Sequence, residues 1–394
     1  MKPIATTFLV MIVLTTCSKE DWSIPDSSCS YNFPDSSLNN QKHGEYRQLL
    51  DWYVKQGVPG ITLQVRTPGE GVWIGSSGKS KIETGDPMLP CMIHHSASVV
   101  KMYVGTAVML LVEDGKIDLD LTINNYVDND LSEHIGNGKT ATVRQLLNHT
   151  SGIRDFILEP KHLTDYFNDF FNDYTTTDFL HYIYNKPPDF APGTSVAYSN
   201  TNFVLLTLII DHVTGRPHAD FLTERIFRPL GLDETFYKDD PGYPHPPGLV
   251  NSYWDRFDDG KLENITDVAI HFDELSVGHD GMLASVHDFA KFIEALLKGK
   301  VVSPSSLEQM MQWHHDDKED VDYGLALIRE DTDYGYAIGH GGGNFGVAME
   351  VKYFPRDDVT IVLCSNISGF FESQARRSVL DCVRGAQKIA FEKL

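Results

Sequence analysis

Residues 98–113, which read SVVKMYVGTAVMLLVE, form the most apolar helical pattern in the chain. Apolar side chains surround this helix on every side, and a helix of that kind is usually buried in a protein core. The pattern ends at Glu113-Asp114-Gly115, where the glycine is a suitable helix stop. We therefore predict a central, buried helix over these residues.

The same stretch begins with Ser98-Val99-Val100-Lys101, in which a serine and a lysine stand three positions apart. Positions i and i+3 lie on one face of a helix, so the lysine amine can reach the serine hydroxyl and accept its proton. Burial lowers the pKa of a lysine and lets it act as a base. Ser76-Ser77-Gly78-Lys79 has the same spacing, but we expect it in a glycine-rich hairpin turn with a solvated lysine. The context therefore favours Ser98 as the reactive serine.

Strand patterns lie toward both ends of the chain, and helical patterns dominate its middle. The predicted helices cover residues 41–56, 204–213, 288–297 and 372–391, and the predicted strands cover 61–65, 71–74, 346–354 and 359–364. This order predicts an α+β fold in which both terminal parts build one domain and a mostly helical part is inserted between them. We place the sheet part at about 37–115 and 275–394, and the helical part at about 116–274.

The composition excludes several classes of partner. The 394 residues carry 33 basic and 55 acidic side chains, which gives a formal net charge of −22. Nucleic-acid binding rests on cationic contacts to phosphates, so we expect no nucleic-acid partner. A polybasic membrane patch is excluded for the same reason. The chain is otherwise typical of a soluble globular protein that is long enough to bury a large core.

The N-terminus predicts export. Residues 4–14 form an apolar run that is too short to span a bilayer but suits a secretory signal, which we place at 1–16. Cys17 follows directly in a setting that resembles a relaxed bacterial lipobox, so we expect lipidation there, with an ordinary signal and a chance cysteine as the alternative. Residues 17–36 are then a tether and 37–394 the folded domain. The expected location is a bacterial membrane, reached through this lipid anchor and facing the periplasm or the outside.

The other cysteines and the paired histidines give weaker signals. Cys29, Cys91, Cys364 and Cys382 allow three disulfide pairings in an oxidising compartment, or they are buried thiols. His94-His95 and His314-His315 look like metal ligands, but no second cluster accompanies them at helical spacing. We therefore expect neither a metal site nor a cofactor.

Two further motifs carry polar groups suited to catalysis. Tyr198-Ser199-Asn200 supplies a phenol that can move protons and an amide that can donate to a substrate carbonyl. His340-Gly341-Gly342-Gly343 precedes a predicted strand, and its glycines allow the backbone to approach a ligand closely. Tyr166-Phe167-Asn168 and His279-Asp280-Gly281 repeat these patterns in less suitable settings. Each motif alone is weak evidence, because a surface turn explains it equally well.

Together, the three motifs in this order resemble the signature of the serine β-lactamase and D-alanyl-D-alanine carboxypeptidase superfamily, on the side nearest the class C β-lactamases. The resemblance runs from about Leu49 to Cys364 and includes 111–120, 143–153, 198–203 and 226–232. It implies a β-lactamase/transpeptidase-like fold, with an antiparallel sheet flanked by terminal helices and an inserted, mostly helical domain. The active site would lie between the two parts.

The resemblance also implies roles for the matched residues. Ser98 would be the acylated nucleophile, Lys101 its activator and Tyr198 the proton shuttle for acylation and deacylation. The reaction would pass through an acyl-enzyme that water or another acceptor releases.

The remaining matched positions would bind the substrate. Asn200 would bind the substrate amide, His340 would shape the electrostatics opposite the tyrosine, and Gly342 would line the substrate site. The backbone N–H groups of Ser98 and Gly343 would form the oxyanion hole.

One departure from the family pattern leaves the substrate open. Carboxypeptidases of the family often carry a hydroxyl residue inside the third triplet, where it can bind the substrate carboxylate, and here that position is Gly341. We expect a D-alanyl-D-alanine carboxypeptidase-like peptidase acting on peptide or amide substrates, or an esterase or amidase acting on small acyl substrates. A true β-lactamase and a catalytically dead binding protein are less favoured alternatives.

Overall fold

A computed structural model describes residues 39–175, 177–368 and 374–392. The predicted signal peptide, the tether and the lipidation site Cys17 lie outside these residues, so export and anchoring stay predictions. Within the described part of the chain, no helix is both long and apolar enough to cross a membrane.

The helical elements are numbered in chain order. The helices of the described residues are α1 His43–Lys55, α2 Val100–Glu113, α3 Asn129–His134, α4 Val143–Leu147, α5 Pro160–Asn168, α6 Asn200–Thr214, α7 His218–Leu222, α8 Arg228–Leu230, α9 Thr266–Leu275, α10 Val286–Leu297, α11 Pro304–Met310 and α12 Gln374–Phe391. Several of these were predicted from periodicity, and their observed ends differ from the predicted ones by a few residues.

The strands are numbered in the same way. They are β1 Gly60–Thr67, β2 Gly71–Lys81, β3 Asp86–Pro87, β4 Ile93–His95, β5 Thr235–Phe236, β6 Tyr253–Trp254, β7 Glu263–Asn264, β8 Leu283–Ser285, β9 His314–Asp316, β10 Val321–Tyr323, β11 Ile328–Thr332, β12 Gly335–Asn344, β13 Val347–Phe354 and β14 Val359–Ser365.

One antiparallel sheet joins the two ends of the chain. Its strand order is β3-β2-β1-β14-β13-β12-β11-β10-β9, and β1 pairs with β14 so that Leu63 stands opposite Leu363. The N-terminal hairpin is therefore bonded to the C-terminal hairpin, while α3 to α8 come from the sequence between them. The predicted α+β fold with helices inserted between sheet segments is confirmed.

Alternation along β14 sends side chains to two different cores. Ile361 and Leu363 pack in a cluster with residues of α1 and α12, whereas Val362 and Cys364 belong to a larger cluster built around α2. Successive residues of a strand point to opposite faces, so the sheet is covered on both sides. This explains why every residue of β14 is buried and why most of them are apolar.

The predicted central helix is confirmed, with a tight turn at its start. A 3-10 turn over Ala97–Val99 precedes α2, and α2 is buried from Val100 to Leu111. Gly105 permits close packing, because an added Cβ would lie 2.2 Å from the Cβ of Ala326. The turn therefore places Ser98 directly before this buried helix.

One glycine-rich segment was wrongly predicted as a turn, and another was placed before a strand rather than inside one. Ser76 to Lys79, the predicted turn, lie inside β2, and His340 to Gly343 lie inside β12. Glycines carry no side chain, so they give no alternating pattern from which a strand can be recognised. In β12, backbone pairing with β13 holds them extended, with Gly342 opposite Met349.

The structure resolves part of the cysteine question. Cys364 and Cys382 are free, buried thiols, and burial raises the pKa of both. Cys91 is disulfide-bonded, and Cys29 lies outside the described residues.

Candidate active site

Ser98 and Lys101 lie in direct contact at the start of α2. The Lys101 Nζ atom donates hydrogen bonds to the Ser98 Oγ atom at 2.9 Å and to the His279 carbonyl oxygen at 2.6 Å. Ser98 is partly exposed, whereas Lys101 is fully buried. Ala97, directly before the serine, has a φ of 42°. A non-glycine residue in this region costs roughly 1–3 kcal/mol, so the turn that presents Ser98 is held under strain by its surroundings.

Burial sets the chemistry of Lys101. Removal from water lowers the pKa of the ammonium group, while the carboxylates of Asp280 and Asp155 act in the opposite direction. Two buried carboxylates thus face one buried amine. The lowered pKa makes the neutral amine accessible much nearer to neutral pH than for a solvated lysine, as a general base requires.

Tyr198 faces the same pair from the segment before α6. The Lys101 Nζ atom lies 5.1 Å from the centre of the Tyr198 ring. Burial raises the pKa of the phenol, and the neighbouring Ser98 hydroxyl partly offsets that rise. His149 stacks on the Tyr198 ring at 4.4 Å between centres and accepts a hydrogen bond from the Ser199 backbone. The stacking against His149 holds the Tyr198 ring in its orientation.

Asn200 is the first residue of α6, and its orientation depends on a carboxylate. Its Nδ2 atom donates to the Asp155 Oδ2 atom at 2.8 Å. Burial raises the pKa of Asp155 to about 6, although hydrogen bonds from Asn200 and the Ile157 backbone counteract it. The amide side chain of Asn200 lines the cleft together with Ser98.

Strand β12 forms the opposite wall of the cleft. Strand β11 pairs with β12 only as far as Gly339, so from His340 to Asn344 that edge of β12 has no partner from β11. A Cβ on Gly342 would lie 2.9 Å from both the Ala97 Cβ atom and the Ser96 carbonyl oxygen, and 3.2 Å from the Ser98 nitrogen. Glycine is therefore required here to bring the strand against the serine turn.

His340 contributes a neutral imidazole to this wall. Burial lowers its pKa to about 3, and the charge of Lys101 acts in the same direction. The ring centre of His340 lies 6.1 Å from that of Tyr198. The imidazole therefore adds hydrogen-bonding groups to the cleft without adding charge.

The structure brings the predicted site residues together in one place. Most of them line a single cleft, and Lys101 lies directly behind it. The cleft residues are Ser98, Tyr198, Asn200, His340, Gly342 and Gly343. The arrangement places a buried amine against a hydroxyl group, with a phenol on one side and a glycine strand on the other. Such a constellation suits nucleophilic attack on a carbonyl group.

Sequence reasoning missed three residues of this site. Asp155, Asp280 and His149 all lie in contact with the groups described above, yet none was given a role. His279-Asp280-Gly281 was noticed only as a repeat of the glycine triplet. The proximity of this segment to Lys101 depends on tertiary structure, since almost 180 residues separate His279 from Lys101 in the sequence.

The other candidate motifs lie elsewhere. Lys79 donates to the Gly85 carbonyl oxygen within the hairpin region, and Tyr166 lies in α5. His95 is buried and its Nδ1 atom lies 2.6 Å from the Asp273 carboxylate. In the described ranges, no group of three or more histidine, cysteine or acidic side chains is arranged to hold a metal ion.

Comparison with solved structures shows the same architecture in two amide-cleaving enzymes. A D-stereospecific amidohydrolase from Streptomyces sp. is 28% identical with a TM-score of 0.73, over 82% of this chain and 94% of that one. The D-amino acid amidase from Ochrobactrum anthropi SV3 is 25% identical with a TM-score of 0.77, over 88% and 97% of the two chains.

Curated sequences and family models give a consistent result. Protein flp from Staphylococcus aureus (strain MW2) is 26% identical over 202 residues, which is 51% of this chain and 39% of that protein. The chain thus spans about two fifths of the length of the curated relatives it matches first. The Beta-lactamase family model matches residues 44–382, nearly the whole described structure. The chain therefore belongs to the β-lactamase family and is a serine hydrolase with the β-lactamase/transpeptidase-like fold.

Proposed function

We propose that this serine hydrolase cleaves amide bonds of D-amino-acid derivatives through an acyl-enzyme on Ser98. The observation that carries the proposal is the contact between the buried Lys101 amine and the Ser98 hydroxyl inside a cleft bounded by the free edge of β12. The likeness to two D-specific amide hydrolases across most of their length supports the choice of substrate.

The first step is acylation. The neutral Lys101 amine takes the proton of the Ser98 hydroxyl while the serine oxygen bonds to the substrate carbonyl carbon. The carbonyl oxygen becomes negative and is received by the backbone N–H groups of Ser98 and Gly343. Collapse of this intermediate breaks the C–N bond, and the leaving nitrogen receives a proton through Tyr198. Water then attacks the ester and gives its proton back along the same route.

The surroundings of Gly341 favour a substrate whose leaving group is uncharged over one whose leaving group carries a carboxylate. A Cβ on Gly341 would lie 2.6 Å from the Oε1 atom of Glu350, which stands opposite it on β13. The space beside Gly341 therefore holds a carboxylate, which itself lies 3.5 Å from Lys352. A carboxylate oxygen accepts hydrogen bonds and donates none, so it cannot replace the hydroxyl that would bind a substrate carboxylate. This supports amidase activity more than D-alanyl-D-alanine carboxypeptidase activity.

Carboxypeptidase-like cleavage of peptides stays the second candidate. The free edge of β12 can pair with an extended peptide backbone, which is how a longer acyl chain would be held. An esterase would use the same residues, because only the leaving atom changes.

A panel of substrates tests the proposal. We would measure kcat/KM for D-alanine amide, L-alanine amide, an acylated D-alanyl-D-alanine and a p-nitrophenyl ester, with Ser98→Ala as the control. The proposal expects D-alanine amide to be hydrolysed at least about tenfold faster than both its L-isomer and the dipeptide. Preference for the dipeptide would favour the carboxypeptidase, and cleavage of the ester alone would favour an esterase.

A further inference from the structure

Asp280 is a buried carboxylate beside the catalytic lysine. It is 5% exposed and lines the cleft together with Ser98 and Asn344. Nothing in the acylation chemistry described above uses this side chain. A buried carboxylate is costly unless hydrogen bonds or charges compensate for the lost hydration, so its contacts are informative.

Two contacts join the loop that carries Asp280 to opposite walls of the site. The residue before it, His279, receives a hydrogen bond from Lys101 through its carbonyl oxygen. The Asp280 Oδ2 atom accepts a short hydrogen bond from the Asn344 side chain at the end of β12. Asn344 directly follows Gly343, whose N–H is assigned to the oxyanion hole. The loop at Asp280 thus links the base to the strand that receives the oxyanion.

The charges around Lys101 and Asp280 do not balance. Lys101 and His95 are the basic groups that Asp280 faces in the described site, and Asp155 and Asp273 add two further carboxylates. The nearby imidazoles of His149, His279 and His340 have pKa values held below the usual range, so they stay neutral. His95 pairs with Asp273 and balances that carboxylate, while Tyr166, Tyr237 and Tyr243 face Asp280 as neutral phenols with raised pKa values.

We propose that Asp280 is a positioning residue that stabilises the cationic form of Lys101 during acylation and holds the end of β12 against the serine turn. The proposal rests on the proposed acyl-enzyme chemistry at Ser98 but not on the identity of the substrate. As the serine O–H bond breaks, a new N–H bond forms on Lys101, and a positive charge arises in a buried site. The Asp280 carboxylate offsets that charge.

The consequence for pH has a definite sign. Burial raises the pKa of Asp280, and above that pKa its carboxylate favours the protonated amine, so the pKa of Lys101 stays higher than burial alone would set it. Asp280→Asn keeps the shape of the side chain and removes the charge. The neutral amine would then persist to lower pH, while the cation formed in the transition state would lose its partner.

The test follows the rate at which a fluorophosphonate labels Ser98 between pH 5 and pH 10. Labelling forms the serine O–P bond and releases fluoride, so it reports activation of the serine whether or not D-amino-acid amides are substrates. For Asp280→Asn we expect the acid limb to move down by about one pH unit, the shift typical of a neighbouring charge. We also expect the plateau rate to fall at least about tenfold.

Matched variants separate this effect from simple loss of a buried carboxylate. Asp288 is also buried, and it accepts hydrogen bonds from the Glu234 backbone and the Thr235 hydroxyl. Asp288→Asn should leave the labelling profile unchanged. Asn344→Ala removes the hydrogen-bond donor to Asp280 and should shift the acid limb of the labelling profile in the same direction by a smaller amount. This variant provides the test if Asp280→Asn does not fold. A profile for Asp280→Asn or for Asn344→Ala that superimposes on the wild type overturns the proposal, as does an equal shift in Asp288→Asn.

Discussion

Gly342 sets the distance between β12 and the turn that carries Ser98, and Gly342→Ala should enlarge that distance. The new Cβ would lie 2.9 Å from the Ala97 Cβ atom and 2.9 Å from the Ser96 carbonyl oxygen. Carbon atoms pack best at about 3.5–4.0 Å, so the strand or the turn must retreat by about 0.7 Å. Both obstacles belong to the short, strained turn, so neither can rotate aside as a long side chain would.

This displacement of the strand or the turn should reduce the catalytic rate more than it reduces the stability of the protein. A misplacement of about 1 Å in an active site typically costs about 100-fold in rate, which corresponds to about 2.7 kcal/mol of transition-state stabilisation. We therefore expect kcat/KM to fall by about 30- to 100-fold. Overpacking of this kind usually costs about 1–3 kcal/mol in free energy of unfolding, which a protein of this size tolerates.

Gly341→Ala is the matched control. Its new Cβ would meet the Glu350 carboxylate at 2.6 Å, but that group is the far end of a flexible side chain and can turn away. Steady-state kinetics on the best substrate of the panel, with thermal unfolding beside it, would compare the two variants. A Gly342→Ala enzyme within twofold of the wild type would refute the reasoning, and so would equal losses in both variants.

Three other outcomes follow from the site. Tyr198→Phe keeps the ring that stacks on His149 and removes only the hydroxyl. We therefore expect kcat to fall about 100-fold with KM little changed, and an unchanged kcat would exclude Tyr198 from proton transfer. Because the reaction needs neutral Lys101, kcat/KM should rise with pH along an acid limb. Because burial lowers the pKa of Lys101, this limb should end well below the pH range in which a solvated lysine titrates. A profile that is flat from pH 5 to pH 9 would contradict this. Because a lysine supplies the base, EDTA should leave the rate unchanged, whereas inhibition that added zinc reverses would indicate a metal enzyme.

The elements with strong periodicity could be predicted from the sequence. The helix over residues 98–113 and the strand over 359–364 could be predicted because nearly all of their apolar side chains become buried. The contact between Ser98 and Lys101 could be predicted for a related reason, since helical geometry places positions three apart on one face.

The remaining features depend on tertiary structure. The glycine segment of β12 is extended because β13 pairs with it, and position 342 must be glycine because Ala97 leaves no room for a side chain. Asp155 and Asp280 are brought to Lys101 from loops 54 and 179 residues further along the chain. No local pattern distinguishes such carboxylates from those of a solvated acidic surface, and this protein has 55 acidic residues in all.

The most direct test of Ser98 as the nucleophile is the intact mass of the protein after reaction with a serine-reactive fluorophosphonate. The wild type should gain the mass of one phosphonyl group. Ser98→Ala should gain none, and Lys101→Ala should react far more slowly because its serine lacks a base. An equal adduct on Ser98→Ala would assign the nucleophile to another residue, and an unlabelled wild type would contradict an active serine hydrolase.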